Sequence, residues 1–129
     1  MIYIRNTPEN LKRQLSEHFI AGEFRCKCNN CGLTLIHEYG LHLLTVLRRL
    51  YGYEIIFTSG YRCQEHNRNT PNATHYSDHP KGMAWDILLP KENDKKQMLI
   101  AFCKVIFPHY YVTSVFIHVS IRGFETRTY

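Results

Sequence analysis

The chain has 129 residues, enough to bury one core, and is expected to form a single domain over 1–129. Its apolar content of 44% excludes a disordered chain, and no apolar run is long enough to cross a bilayer. The net charge of +5 is scattered without a basic run, which fits a solvated surface or attraction to an anionic polymer, either nucleic acid or bacterial cell wall.

The opening MIYIRNTPENLKRQ lacks the apolar core and cleavage site of a signal peptide, so the chain is expected to be cytoplasmic as synthesised, reaching the cell wall only if released or exported by another route. Residues 9–20 read as a short helix or turn. Cys26, Cys28 and Cys31 form CxCxxC, while Cys63 and Cys103 stand apart. Five cysteines leave one over, which excludes a fully paired disulfide framework. The cluster could bind zinc if Cys63 supplied a fourth thiolate in space. Reduced, partly buried thiols are the favoured reading.

Thr34 is expected to cap a helix running to Tyr51. Its inner stripe is Ile36, Tyr39, Leu43, Leu44, Leu47 and Leu50, and Gly52 stops it. The segment 53–58 is β-rich and closes at Ser59-Gly60. Residues 60–78 read as a long polar loop, of the kind that carries function. A second strand spans 83–88. Asn93 should cap a helix to Phe107, with Met98, Leu99, Phe102, Val105 and Ile106 inside. A last strand runs from Val112 to Ile121. Val115, Ile117, Val119 and Ile121 share one face, and Ser114, Phe116, His118 and Ser120 share the other. The expected fold class is α+β, a small antiparallel sheet flanked by helices.

The stretch SDHPKGMAWD places His79 seven residues before Asp86. Fully extended, that separation is roughly 23 Å, too far for two ligands of one ion. Pro80-Lys81-Gly82 would have to reverse the chain, and Gly82 can take the positive φ such a turn needs. Were the strand to pair with the last one, Asp86 and His118 would lie side by side. Spacing alone leaves two readings: a metal triad, or a loop histidine and an unrelated strand residue.

SDHPKGMAWD matches, position for position, the SxHxxGxAxD motif of the M15 zinc D-alanyl-D-alanine peptidases, which include related phage endolysins. Residues 15–28, LSEHFIAGEFRCKC, resemble the LSxHFxxxEFxC opening of a cell-wall subgroup. TSGYRCQEHN (58–67) resembles its SGYRxxxxN segment, and FIHVSIR (116–122) its FVHVDVR ending. The resemblance covers most of the chain in the right order, and it implies the fold of those peptidases. It implies that His79, Asp86 and His118 hold one catalytic Zn2+ and that Arg62 binds the substrate's peptide or carboxylate. A planar guanidinium suits that task. Ser77 is expected to orient its loop or a ligand. Tyr61 and Trp85 are expected to pack rather than react.

The implied reaction is metal-assisted hydrolysis of a bond to a D-amino acid in a peptidoglycan stem or cross-link, with a carboxylate moving the proton. The implied partner is peptidoglycan stem peptide, met at the wall by a remodelling enzyme or a phage-type lysin. The protein is expected to be monomeric. Nothing resembles a nucleic-acid recognition element, so no nucleic-acid partner is expected.

Two departures matter. Many relatives carry Glu or Asp three residues before the last histidine, where this chain has Val115. The cell-wall subgroup often has Asp two residues after it, where this chain has Ser120. Asp78 and His75 are the first substitutes as base, ahead of His109 and Glu125. The missing carboxylates also motivate an alternative: a catalytically impaired zinc-binding module that binds wall peptide or a protein partner. The approach to the motif, Thr70 to Ser77, also differs from the glycine-rich segment common in relatives, so the cleft rim is expected to differ.

Overall fold

The computed structural model describes residues 1–28, 31–70 and 77–123. His75 and Glu125 therefore lie outside the described residues. In chain order the elements are β1 (Ile2–Arg5), α1 (Pro8–Leu11), a 3-10 turn (Ala21–Phe24), β2 (Leu33–Ile36), α2 (Glu38–Tyr51), β3 (Phe57–Ser59), α3 (Gln64–Asn69), a second 3-10 turn (His79–Lys81), β4 (Ala84–Leu88), α4 (Asn93–Ile106), β5 (His109–Val112) and β6 (Phe116–Ser120). The fold is α+β, as the sequence suggests. It has two antiparallel sheets, a β1-β2 ribbon and a four-stranded sheet in the order β3-β4-β6-β5. Among the described residues, no helix is long and apolar enough to cross a membrane.

The four-stranded sheet has two unlike faces. Trp85, Ile87, Ile117 and Val119 are buried in the core with Leu44, Leu47 and Tyr51 of α2 and Leu99 and Cys103 of α4. Trp85 packs directly on α2 at Gly40. A Cβ there would lie 2.0 Å from Trp85 Cη2, so only glycine lets the indole in. Alternation turns Asp86, His118 and Ser120 to the opposite face. Phe19, Phe24 and Phe57 form an aromatic cluster with ring centroids 5.0–5.7 Å apart, which fixes the 15–28 segment against β3.

Several local expectations are corrected. Thr34 caps no helix. It sits inside β2, fully buried, and donates to Asn6 Oδ1 at 2.7 Å. Pairing of Leu33–Ile36 with Ile2–Arg5 outweighs the capping preference of one threonine. His37 is the N-cap instead, with Nδ1 accepting from the Tyr39 N–H at 3.2 Å. Gly52, at φ +82°, ends α2 as expected. The buried stripe of α2 is Gly40, Leu41, Leu44, Leu47 and Tyr51, whereas Tyr39 and Leu50 are exposed. In α4, Leu99 and Cys103 face inward and Val105 is 85% exposed. Of the expected 53–58 strand only Phe57 and Thr58 fall in β3, which runs on to Ser59. The polar segment after Gly60 contains a short helix, α3. The last strand is a hairpin, β5 and β6, and Val115 lies exposed in its turn.

Candidate metal centre

The 3-10 turn at His79 reverses the chain. Lys81 and Met83 N–H donate to the Asp78 carbonyl at 3.1 and 3.2 Å, and Gly82 N–H donates to that of His79 at 3.2 Å. Gly82 has φ +68°, a conformation that favours glycine. It also abuts β2: a Cβ on Gly82 would lie 2.7 Å from the Leu35 carbonyl oxygen. The reversal brings His79 Nε2 to 3.4 Å from Asp86 Oδ1. The β4-β6 register sets Asp86 opposite His118, whose Nδ1 lies 2.8 Å from the same oxygen. One ligand-capable atom from each of the three residues falls within 4.8 Å of the others.

Electrostatics prepare this group for a cation. His79 Nδ1 lies 2.8 Å from the Gly60 carbonyl oxygen. A carbonyl only accepts, so Nδ1 carries a proton and Nε2 is the ring nitrogen turned toward Asp86. His79 Nε2 is buried and makes no hydrogen bond among the described residues. Burial is the largest influence on Asp86 and pushes its carboxyl up. Interactions with His118 and His79 outweigh it and hold the group at about 2. A buried carboxylate between two imidazoles, one with a buried ring nitrogen that makes no hydrogen bond among the described residues, is a donor set suited to zinc.

These residues open onto a cleft of about 720 Å³. Lys27, Arg62 and Arg122 give it a cationic wall. Arg62 donates from Nη2 to Ser77 Oγ at 3.5 Å, and its buried Nε has no partner among the described residues. Burial, the main influence on Arg62, lowers its pKa against the opposing charge of Asp86. Ser77 Oγ also accepts the His79 N–H at 3.2 Å, tying the guanidinium to the turn that carries His79. Asp78 lines the cleft although it is only 3% exposed. Its Oδ2 accepts from Ser120 Oγ at 2.8 Å and from Arg122 Nε at 2.9 Å. His109 lies at the exposed start of β5.

Sequence reasoning missed Tyr111 and gave Arg122 no role. The Tyr111 ring stacks on His118 at 4.5 Å and 12° and lines the cleft. Reading 112–121 as one strand hid this contact, because the hairpin sets Tyr111 opposite His118. Arg122 stands in the FIHVSIR ending, but its bond to Asp78 joins residues 44 apart in the chain.

An α+β fold with two histidines and a buried aspartate gathered at a cationic cleft is an arrangement compatible with a metal-dependent hydrolase. The chain belongs to the M15 peptidase family: the family model described as Peptidase M15 matches residues 17–120. That family is one of zinc-dependent metallopeptidases, which agrees with the donor set. Searches of curated proteins and of solved structures returned no match.

Proposed function

We propose that the protein hydrolyses peptide bonds to D-amino acids in bacterial peptidoglycan, with His79, Asp86 and His118 holding one catalytic zinc. The observation that carries this reading is the buried Nε2 of His79, aimed beside Asp86 and His118 with no hydrogen-bond partner among the described residues. Zinc held there would polarise the scissile carbonyl and acidify a water. Arg62 and Ser77 bind the stem peptide, the guanidinium pairing with its carboxylate or carbonyl. Asp78 acts as the base, taking the proton from water and passing it to the leaving amine. Ser120, at the position where relatives often carry Asp, donates to Asp78. The carboxylate absent from that position is thus supplied from 78.

The alternative reading is a module of the same fold that binds wall peptide without cleaving it. Its support is that Asp78 is almost fully buried and its Oδ2 is already engaged by Arg122 Nε at 2.9 Å and Ser120 Oγ at 2.8 Å. Incubation with purified peptidoglycan, followed by mass analysis of soluble fragments, separates the two. Hydrolysis predicts new fragments, with one water added per bond cleaved, that are absent with His79→Ala. Retention on peptidoglycan without new fragments leaves the binding module.

A further inference from the structure

Outside the cleft, the fold gathers a second cluster. Cys26, Cys28 and Cys31 follow the Ala21–Phe24 turn, and Cys63 lies between Arg62 and α3. None of the four is in a disulfide. The sulfurs of Cys26 and Cys28 are 3.3 Å apart, and each is 3.8 Å from that of Cys63. With Cys31 included, all four sulfurs lie within 4.8 Å of one another. Zinc–sulfur bonds of about 2.3 Å in a tetrahedron put sulfurs about 3.8 Å apart. Thiols packed for burial alone have no reason to converge four at a time at that spacing.

Two backbone N–H groups point at the sulfurs. Cys63 N–H donates to Cys26 Sγ and His66 N–H to Cys63 Sγ, both at 3.4 Å. Such donors favour the thiolate, the form that binds metal. Burial opposes this and pushes the Cys26 and Cys31 thiols up, as it does the lone core thiol Cys103, so a bound cation is what would hold the cluster as thiolates.

We propose that Cys26, Cys28, Cys31 and Cys63 bind a second, structural zinc ion. Four protein thiolates fill its tetrahedron and leave no open position for water, so the ion staples the fold rather than reacting. Binding displaces four thiol protons to solvent and changes no oxidation state. The staple joins Cys26, Cys28 and Cys31 to the stretch Gly60–Cys63. In that stretch Tyr61 N–H donates to the Phe24 carbonyl at 3.0 Å, the Gly60 carbonyl holds His79 Nδ1, and Arg62 lines the cleft. The thiolate site therefore positions Arg62 and the His79 ring without touching substrate.

The test is metal analysis of the full chain purified without chelator, with zinc-edge X-ray absorption on the same samples. Wild type should carry about two zinc ions per chain. The variant His79→Ala/His118→Ala, which keeps every cysteine, should carry about one, in an all-sulfur shell at about 2.3 Å. Cys31→Ser should lose that shell, and it is made singly so that a folding defect does not decide the outcome. Three results would overturn the thiolate site: no zinc in the double-histidine variant, a shell without sulfur, or a mass lighter by two hydrogens from a disulfide among the four. Wild type with one zinc in an all-sulfur shell would support it while sinking the catalytic-zinc reading. The two proposals therefore fail separately.

Discussion

Asp86 and His118 stand opposite each other in the β4-β6 ladder, with Oδ1 and Nδ1 2.8 Å apart, although 32 residues separate them in the chain. The same carboxylate oxygen faces His79 Nε2 at 3.4 Å. One strand register and one tight turn thus assemble the whole centre.

This arrangement predicts an acid-labile contribution in metal-free protein. The folded Asp86 carboxyl is held at about 2, below its ordinary 3.8. Its contribution is complete above about pH 5, where the unfolded group is also ionised, and is lost as pH falls toward 2. The loss should be roughly 2 kcal/mol. Urea unfolding of chelated wild type from pH 5 down to about 2 should show it, and Asp86→Asn should flatten that part of the profile. An unchanged slope in the variant would mean that the histidines do not hold Asp86 ionised.

Asp78→Asn keeps the shape of the side chain and removes the proposed base. Peptidoglycan hydrolysis should fall about 10²–10⁴-fold while the zinc content stays at the wild-type level. Ser120→Ala should cost far less, about tenfold, since it removes one hydrogen bond to the carboxylate. Full activity in Asp78→Asn would move the base elsewhere, with His75 the next candidate.

Arg62→Lys keeps the charge and loses the planar fork. Losing one charge-assisted hydrogen bond of about 1.5–3 kcal/mol should lower kcat/KM roughly 10- to 100-fold, with unchanged zinc content. Steady-state kinetics on a stem-peptide substrate would read this. An unchanged kcat/KM would remove Arg62 from substrate binding.

Gly82→Ala places a side chain where φ is +68° and the Leu35 carbonyl oxygen is 2.7 Å away. Stability should drop by about 1–3 kcal/mol, as strain at a left-handed position costs, and zinc affinity should weaken because this turn sets His79 against Asp86. Thermal unfolding with and without added zinc measures both. A variant as stable as wild type would show that the turn can relax without cost.

The grouping of His79, Asp86 and His118 was legible in the sequence because it is local or follows from alternation. Pro80-Lys81-Gly82 announces the turn, and the alternation around His118 puts that side chain across from Asp86 once the strands pair. The misses came from contacts distant in sequence or from residue types with two readings. Leu33–Ile36 shows no distinctive strand pattern until β1 lies beside it. Cys103 occupies the core position one turn from Leu99, because a cysteine packs as a small hydrophobe while Val105 points outward. The Ser120–Asp78–Arg122 bonds join residues more than 40 positions apart, and neither strand pattern nor motif encodes them.

The most direct test is a crystal structure of the zinc-loaded protein with anomalous data collected at the zinc edge. The account predicts a peak about 2.0–2.2 Å from donor atoms of His79, Asp86 and His118. Full-occupancy protein density with no peak between these residues, and His118 Nδ1 still hydrogen-bonded directly to Asp86, would contradict it.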